Sequence, residues 1–137
     1  MTARKKLPPA HDWQARDIND WNTTTFHAYL SDKHRELFGV DYVPFRGWNA
    51  EKGMIGNLIG TRLKQATADK AMVKRFIDET FADYKPTPQY PGTSFGFMWT
   101  YRKNVWQRLQ AESKRGQATE AKRKQQATDW DELADWL

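Results

Sequence analysis

Apolar residues recur at helical spacing in four segments of the chain, and this pattern predicts an all-α fold, a small globule of about four helices. The first helix starts at the cap candidates Asn22, Thr23 and Thr24 and stops at Gly39, a residue type that commonly follows a helix C-terminus. Its apolar face carries Phe26, Tyr29, Leu30, Leu37 and Phe38.

The second helix is expected to begin near Asn49, whose side chain can accept from free amides of the first turn. Three glycines interrupt its apolar stripe, and each destabilises the helix by about 1 kcal/mol relative to alanine. They indicate close packing against a bulky aromatic or, alternatively, close approach of a ligand or partner. The stripe is Met54, Ile55, Leu58, Ile59 and Leu63, and the glycines are Gly53, Gly56 and Gly60.

Residues 67–69 form a short break in which Thr67 and Asp69 are both candidates to cap a third helix that runs towards Tyr84. The proline-rich segment 85–92 must be a loop, and 41–45 is predicted to be an edge strand or a structured loop. Thr93 or Ser94 can cap a fourth helix. The core face of that helix is Phe95, Met98, Trp99, Val105, Trp106 and Leu109.

The polar segments divide the chain into four parts. Residues 1–20 are polar with a Pro-Pro break and are expected to form a flexible arm before a helical domain over 21–109. Residues 110–128 contain no side chain larger than alanine to bury, which is typical of a disordered basic linker or a solvated helical extension. Residues 129–137 are acidic and aromatic and form a short peptide of their own.

Composition narrows the classes of function. The 137 residues fit one domain, and the absence of cysteine excludes disulfides and thiol chemistry. His27 and His34 lie two helical turns apart, too far to hold one metal ion by themselves. No catalytic or cofactor motif is present, so we expect no enzyme activity, no metal and no cofactor. No apolar run could span a bilayer, and we expect a cytoplasmic protein.

The net charge of +5 favours an anionic partner such as nucleic acid. One candidate surface is a helix-turn-helix formed by the second and third helices, with the third helix reading DNA. An ordinary helical hairpin with solvated lysines remains the alternative. The bases assigned to this surface are Arg62, Lys64, Lys70, Lys74 and Arg75.

A second candidate surface lies in the fourth helix and the segment after it. Aromatic residues alternate there with cations, and Phe97, Tyr101 and Arg108 are expected to point outward, where rings can stack on bases. The alternative is that all these aromatics are core. The bases assigned here are Arg102, Lys103, Arg108, Lys114, Arg115, Lys122, Arg123 and Lys124, of which the last five can bind phosphates without fixed structure.

The peptide 129–137 combines four acids with two tryptophans and contains no base. As a helix it would gather its apolar side chains on one side, where they can anchor a protein interface. Folding back onto the chain's own domain or linker is the alternative. The predicted partner-binding residues are Trp130, Leu133, Trp136 and Leu137.

The ending 133–137, Leu-Ala-Asp-Trp-Leu, resembles the C-terminal sliding-clamp-binding peptides of T4-type phage polymerases and late-transcription factors. It is also similar to the acidic tips of bacterial and phage single-stranded-DNA-binding proteins, which recruit protein partners. These resemblances imply docking on a protein partner such as a sliding clamp, helicase or RNA polymerase. The small, tryptophan-rich, cysteine-free chain resembles phage accessory proteins, which implies a location in the host cytoplasm or nucleoid.

The leading hypothesis is therefore a phage-encoded DNA-binding accessory protein of replication, recombination or transcription. The alternative is a protein-interaction module that inhibits a host polymerase or defence enzyme without binding DNA, and a third is an assembly or scaffolding protein. The sequence leaves open the oligomeric state, the identity of the protein partner and the choice among single-stranded DNA, double-stranded DNA and RNA.

Overall fold

The computed structural model describes the backbone of residues 7–135 and the side chains of residues 7–127, and over this range the chain is helical without a strand. This confirms the all-α prediction. A short 3-10 helix, Ile18–Asp20, precedes the α-helices. These are α1 (Thr23–Phe38), α2 (Trp48–Ile59), α3 (Lys70–Asp83), α4 (Phe95–Tyr101) and α5 (Lys103–Asp135).

The chain divides into two compact units. The first ends at Lys103 and holds α1 to α4, and its described residues, 7–103, are called the body below. The second unit begins at Asn104 and consists, as far as it is described, of the rest of α5.

The ends of α1 agree with the sequence prediction. Asn22 caps the helix by accepting from the Thr25 N–H at 3.0 Å, while the Thr25 hydroxyl accepts from the Asn22 N–H at 3.2 Å. This reciprocal pair satisfies two amides that the first turn leaves without helical partners. At the other end Gly39 adopts φ 72°, a conformation that glycine takes without steric cost.

The start of α2 differs from the prediction. Its N-cap is Gly47, at φ 94°, and no side chain caps the helix, so Asn49 lies inside the first turn. Gly60 ends the helix rather than interrupting it, which leaves Leu63 in the following loop with 94% of its surface exposed. A Cβ at the buried Gly56 would meet the methyl groups of two threonines, and not an aromatic ring.

The predicted fourth helix is two helices. Ser94 caps α4 by accepting from the Phe97 N–H, as expected, but the chain leaves helical geometry at Arg102 (φ −121°, ψ 33°) before α5 begins. Neither glycine nor proline marks this position, so the sequence carries no signal for the break. The described part of the basic segment 110–128 is helical and belongs to α5.

Aromatic rings fill much of the core of the body. Phe76 lies edge-on to Phe95 and to Trp99, with ring centroids 6.0 and 5.7 Å apart, an arrangement that favours aromatic pairs beyond the area they bury. Aliphatic side chains from three helices complete it. The residues that are fully buried include Phe26, Leu30, Ile55, Val73, Phe76, Ile77, Phe95 and Met98.

The segment before α1 packs on that helix. The Trp13 indole N–H donates to Asp32 at 2.8 Å, and its ring meets Tyr29 edge-on at 4.8 Å. Trp21 is buried and donates to the Arg16 carbonyl. Residues 8–21 therefore differ from the flexible arm expected over 1–20, because two indole rings need apolar surface and the side of α1 provides it.

The second unit is a helix with a polar surface. Only Val105, Trp106 and Leu109 are buried among its described side chains, and residues 114–127 are exposed throughout. At about 1.5 Å per residue the 33 residues of α5 measure roughly 50 Å. Alanine, lysine, arginine, glutamine and glutamate dominate this stretch, and their helix propensity favours the helix where packing does not.

Candidate nucleic-acid interface and apolar groove

The connection between α2 and α3 spans residues 60–69, ten residues in all. A helix-turn-helix joins its helices by a turn of about three or four residues. The prediction of only a few residues between the two helices is therefore wrong, because α2 already ends at Gly60. The chain then turns back, and the Thr67 and Ala68 amides both donate to the Leu58 carbonyl. The helix-turn-helix stays a prediction without support from this spacing.

The bases of α3 form hydrogen bonds or ion pairs with other residues of the body. Lys70 donates to the Asn19 carbonyl at 2.8 Å, in the segment that precedes α1. Lys74 forms an ion pair with Asp78 at 2.8 Å and lies 5.0 Å above the Tyr29 ring. The Arg75 side chain pairs with Glu79 at 3.4 Å. The end of α3 that a recognition helix would present to base edges is thus occupied by intramolecular contacts.

The other bases assigned to the body differ among themselves. Arg62 is exposed in the loop after α2, whereas Lys64 donates to the Asn57 side chain at 2.9 Å. Arg102 lies 3.9 Å from Asp83, at the limit of an ion pair. The Lys103 ammonium sits 4.9 Å from the centre of the Trp99 ring. Arg62 is therefore the one base of this group, within the described residues, that makes no such contact.

Two aromatic residues of α4 are exposed, as expected. Phe97 is 41% exposed and Tyr101 65% exposed, and their ring centroids lie 4.8 Å apart at a tilt of 46°. The alternative in which every aromatic of this helix belongs to the core does not hold for these two. A pair of neighbouring exposed rings can stack on planar groups such as nucleobases.

The bases of α5 have few partners among the described residues. Arg108 pairs with Glu112 at 3.2 Å, and the Arg115 guanidinium donates to the Ala111 carbonyl of its own helix. Lys114, Lys122 and Arg123 are exposed and form no ion pair with a described residue. Arg108, Arg115 and Lys122 are each seven residues apart, so they recur on nearly the same helix face at intervals of about 10.5 Å.

Lys124, the remaining base assigned to α5, is also exposed. The partner-binding residues predicted in the tail lie outside the described side chains, and Trp136 and Leu137 lie outside the described backbone as well. Trp130, Leu133, Trp136 and Leu137 thus remain predictions.

The body contains a groove that the sequence did not indicate. It has a volume of about 980 Å³, within the range of ligand-binding pockets, and an opening to solvent. Two loops form its walls, residues 40–46 before α2 and residues 84–94 before α4, and Phe97 of α4 adds an aromatic ring. Most of the surface that lines it is apolar.

Glu51 holds the first wall in place. Its carboxylate is fully buried and accepts from the Tyr42 hydroxyl, from the Phe45 N–H at 2.8 Å and from the Gly96 N–H at 3.3 Å. Burial, with the Glu51 charge adding to it, raises the pKa of Tyr42 far above its usual value, so the hydroxyl keeps its proton and donates. A buried carboxylate with three donors is a structural anchor for the loop it binds.

Gly96 makes this anchor compatible with α4. A Cβ at this position would lie 2.7 Å from the Phe45 Cβ, closer than carbon atoms approach. Only glycine therefore lets the first turn of α4 reach both the loop and the carboxylate of Glu51.

His34 ties the two walls together. The Thr93 N–H donates to His34 Nε2 at 3.2 Å, so this nitrogen is the acceptor and Nδ1 carries the proton that is donated to the Val40 carbonyl at 2.9 Å. Val40 belongs to the first loop and Thr93 to the second. Both ring nitrogens are thus used within the fold, and Gly92 gives the ring room, because a Cβ there would lie 2.3 Å from Nε2.

The other helical histidine has a different environment. His27 is buried, its ring meets Trp48 edge-on at 4.9 Å, and its Nε2 lies 3.4 Å from the Glu51 carboxylate. His27 and His34 therefore serve separate polar contacts. Among the described residues no group of three or more histidine, aspartate or glutamate side chains is arranged to hold a metal ion.

Sequence reasoning missed Glu51, Tyr42 and His34 as organisers of these loops. A glutamate in the first turn of a helix is normally read as a solvated charge, and nothing local shows that Tyr42 and the amide of Gly96 will meet it. The only signals were indirect, namely Gly92 and Gly96 in an otherwise aromatic segment.

Within residues 7–135 no helix combines the length and the apolar character needed to cross a bilayer. Comparisons of the chain with protein-family models, with curated proteins and with solved structures find no match.

Proposed function

We propose that this protein binds nucleic acid through the exposed bases of α5 and recruits a protein partner through residues 129–137. One observation carries the proposal: in residues 110–127 five bases stand on an exposed helix beside two acids, Glu112 and Glu120. Glu112 is already paired with Arg108. Such a surface attracts phosphates without requiring a base sequence.

The body supports this role less directly. Its bases on α3 and at Arg102 lie beside carboxylates, which lowers the positive potential that a polyanion would meet. Phe97 and Tyr101 offer exposed rings that could stack on bases of a single strand. The proposal is accordingly a DNA-binding accessory protein, phage-encoded and active in replication, recombination or transcription, whose main affinity is electrostatic.

A salt titration tests the proposal. The full chain is added to labelled single-stranded and double-stranded DNA at several salt concentrations. If all five bases of residues 110–127 contact phosphates of a duplex, the logarithm of the association constant should fall with the logarithm of salt with a slope of about −4.5. Absence of binding at low salt would contradict the proposal.

The peptide 129–137 has its own test. Deleting it should abolish recruitment of the partner and preserve or strengthen DNA binding, because the deletion removes four negative charges. A deletion that abolished DNA binding would contradict the proposal that α5 binds DNA and that residues 129–137 bind the protein partner.

The apolar groove favours a second candidate, a protein-interaction module that inhibits a host polymerase or defence enzyme. An apolar surface of this kind suits side chains of another protein better than phosphates. Stoichiometric binding to one host protein, together with no DNA affinity at moderate salt, would favour this candidate over the first.

A further inference from the structure

The groove between residues 40–46 and 84–94 combines an apolar floor with a positive border. Phe45, Tyr90 and Phe97 contribute aromatic surface, and Tyr90 is 63% exposed. Arg46 and Lys85 line the same groove and form no ion pair with a described residue. Exposed aromatic rings beside cations that have no acidic partner are typical of a surface that binds apolar and acidic side chains together.

The positive border is built into the loop. Arg46, which lines the groove, adopts φ 60° and is followed by Gly47 at φ 94°, so two successive residues with positive φ precede α2. The Arg46 guanidinium lies 5.1 Å from the centre of the Phe45 ring. The carboxylate that lines the groove, Asp41, is paired with Arg35 and so does not neutralise Arg46 or Lys85.

The walls are also held before any ligand arrives. Glu51 fixes the first loop through the Phe45 N–H, and His34 joins the first loop to the second. The Tyr84 hydroxyl donates to the Tyr90 carbonyl at 2.7 Å and closes the second loop on itself. Binding to such a groove costs little ordering of the protein, which favours affinity.

We propose that this groove binds the acidic-aromatic segment 129–137 of a second copy of the chain. No other nine-residue stretch of the sequence joins four acids to two tryptophans without a base. The acids match Arg46 and Lys85, and the indole rings of Trp130 and Trp136 match the apolar floor. Tryptophan is among the residues that most often dominate interface energy when they fill a pocket.

The proposal deepens the recruiting role proposed for residues 129–137, since it names a second copy as a partner of that segment. It does not depend on nucleic-acid binding. Because the groove and the segment are different surfaces and every chain carries both, wild-type chains can exchange segments reciprocally in a closed dimer or ring or continue head-to-tail, and their average mass should rise with concentration.

Complementation between two variants of the full chain tests the proposal. The groove variant carries Arg46→Glu and Lys85→Glu, and the tail variant carries Trp130→Ala and Trp136→Ala. Each alone should self-associate roughly tenfold or more weakly than the wild type in sedimentation velocity. An equal mixture should form a heterodimer, because one intact segment then meets one intact groove.

Lys52→Glu is the matched control, since Lys52 is an exposed lysine of α2 outside the groove and should leave association unchanged. Far-UV circular dichroism shows whether the variants keep their helices. A wild-type chain that stays monomeric at every concentration, association that survives the groove variant, or a mixture that fails to form the heterodimer would each overturn the proposal.

The salt titration of the tail variant on DNA separates this proposal from the proposed function. Retained DNA binding with lost self-association supports both. Self-association without DNA binding supports the groove alone and leaves the nucleic-acid proposal contradicted.

Discussion

The body and α5 use their charged residues in opposite ways. In the body, the bases of α3 lie beside acids, carbonyls or rings, as Lys74 does between Asp78 and Tyr29, and Glu51 is enclosed by three donors. In α5, residues 114–127 are exposed, and Lys114, Lys122 and Arg123 have no described carboxylate beside them. The charges of α3 and Glu51 are therefore used within the fold of the body, whereas Lys114, Lys122 and Arg123 of α5 are available to a partner.

This difference separates stability from binding. Removing a buried charge such as that of Glu51 from the body should affect folding, because its buried donors lose their acceptor. Removing an exposed charge from residues 114–127 of α5 should affect association with a polyanion and change folding little, because exposed surface substitutions usually cost less than about 0.5 kcal/mol.

Glu51→Ala should lower the free energy of unfolding by about 3–5 kcal/mol, since it leaves the Tyr42 hydroxyl and the amides of Phe45 and Gly96 without an acceptor in a buried site. Denaturant unfolding followed by circular dichroism measures the decrease. Glu51→Gln keeps an acceptor oxygen and should destabilise the protein less.

Lys52→Ala provides the control for this experiment, because Lys52 is the exposed neighbour of Glu51 on α2. Its effect should stay below about 0.5 kcal/mol. If Glu51→Ala and Lys52→Ala destabilised the protein equally, Glu51 would not be the anchor of the loop before α2.

Replacing Lys114, Arg115, Lys122 and Arg123 together by glutamine should weaken duplex binding by about 2–3 kcal/mol and reduce the salt slope by roughly one for each phosphate that the variant no longer binds. Glutamine keeps helix propensity, so α5 should remain helical. DNA titrations at several salt concentrations measure both quantities.

The matched control on the body is Lys74→Gln with Arg75→Gln, two bases that already pair with Asp78 and Glu79. It should change the salt slope by less than one unit. If the α3 variant reduced the salt slope more than the α5 variant, the bases of α3, and not those of α5, would be the main nucleic-acid surface.

Local signals predicted much of the helical framework. The stop at Gly39 lies at the predicted residue, and the caps at Asn22, Asp69 and Ser94 are each one of the two or three candidates that the sequence offered, because capping depends on residues within one turn. Exposure of Phe97 and Tyr101 also followed from helical periodicity. These features need no knowledge of the distant chain.

The features that the sequence did not predict depend mostly on contacts between residues far apart in the chain. The polar contacts of Glu51 join residues 45 positions apart, and those of His34 join residues 59 apart, so neither could be read from a local pattern. The groove exists only because these contacts bring two loops together. The break at Arg102 likewise has no local marker, and the fourth helix was therefore predicted as one piece.

Alkaline pH should destabilise the body through Tyr29 and Tyr42. Burial, followed by the hydrogen bond to Asp78 for Tyr29 and by the charge of Glu51 for Tyr42, raises the pKa of both hydroxyls. A raised folded pKa stabilises the protein fully below the unfolded value of about 10, and this stabilisation is lost as the pH rises above it.

The free energy of unfolding should thus fall above about pH 10 by up to about 1.4 kcal/mol per pH unit for each of these tyrosines. Tyr42→Phe should reduce the slope, while Tyr101→Phe, which removes an exposed hydroxyl, should not. Denaturant unfolding between pH 8 and 11, roughly the window around the tyrosine pKa, measures the slope. Equal slopes in the wild type and Tyr42→Phe would contradict the buried role of Tyr42.

The smallest effect is expected from Gly116→Ala in α5. A Cβ at Gly116 meets nothing within 4 Å, so the substitution adds no contact and acts through backbone entropy alone. It should favour the helical state of α5 by about 0.5–1 kcal/mol, which thermal melts of far-UV ellipticity can detect. Hydrogen exchange of the α3 amides at Phe76 and Ile77, two buried residues of the body, should not change. A shift of both signals together would mean that α5 and the body unfold as one cooperative unit. Substitutions in α5 would then change the stability of the body as well.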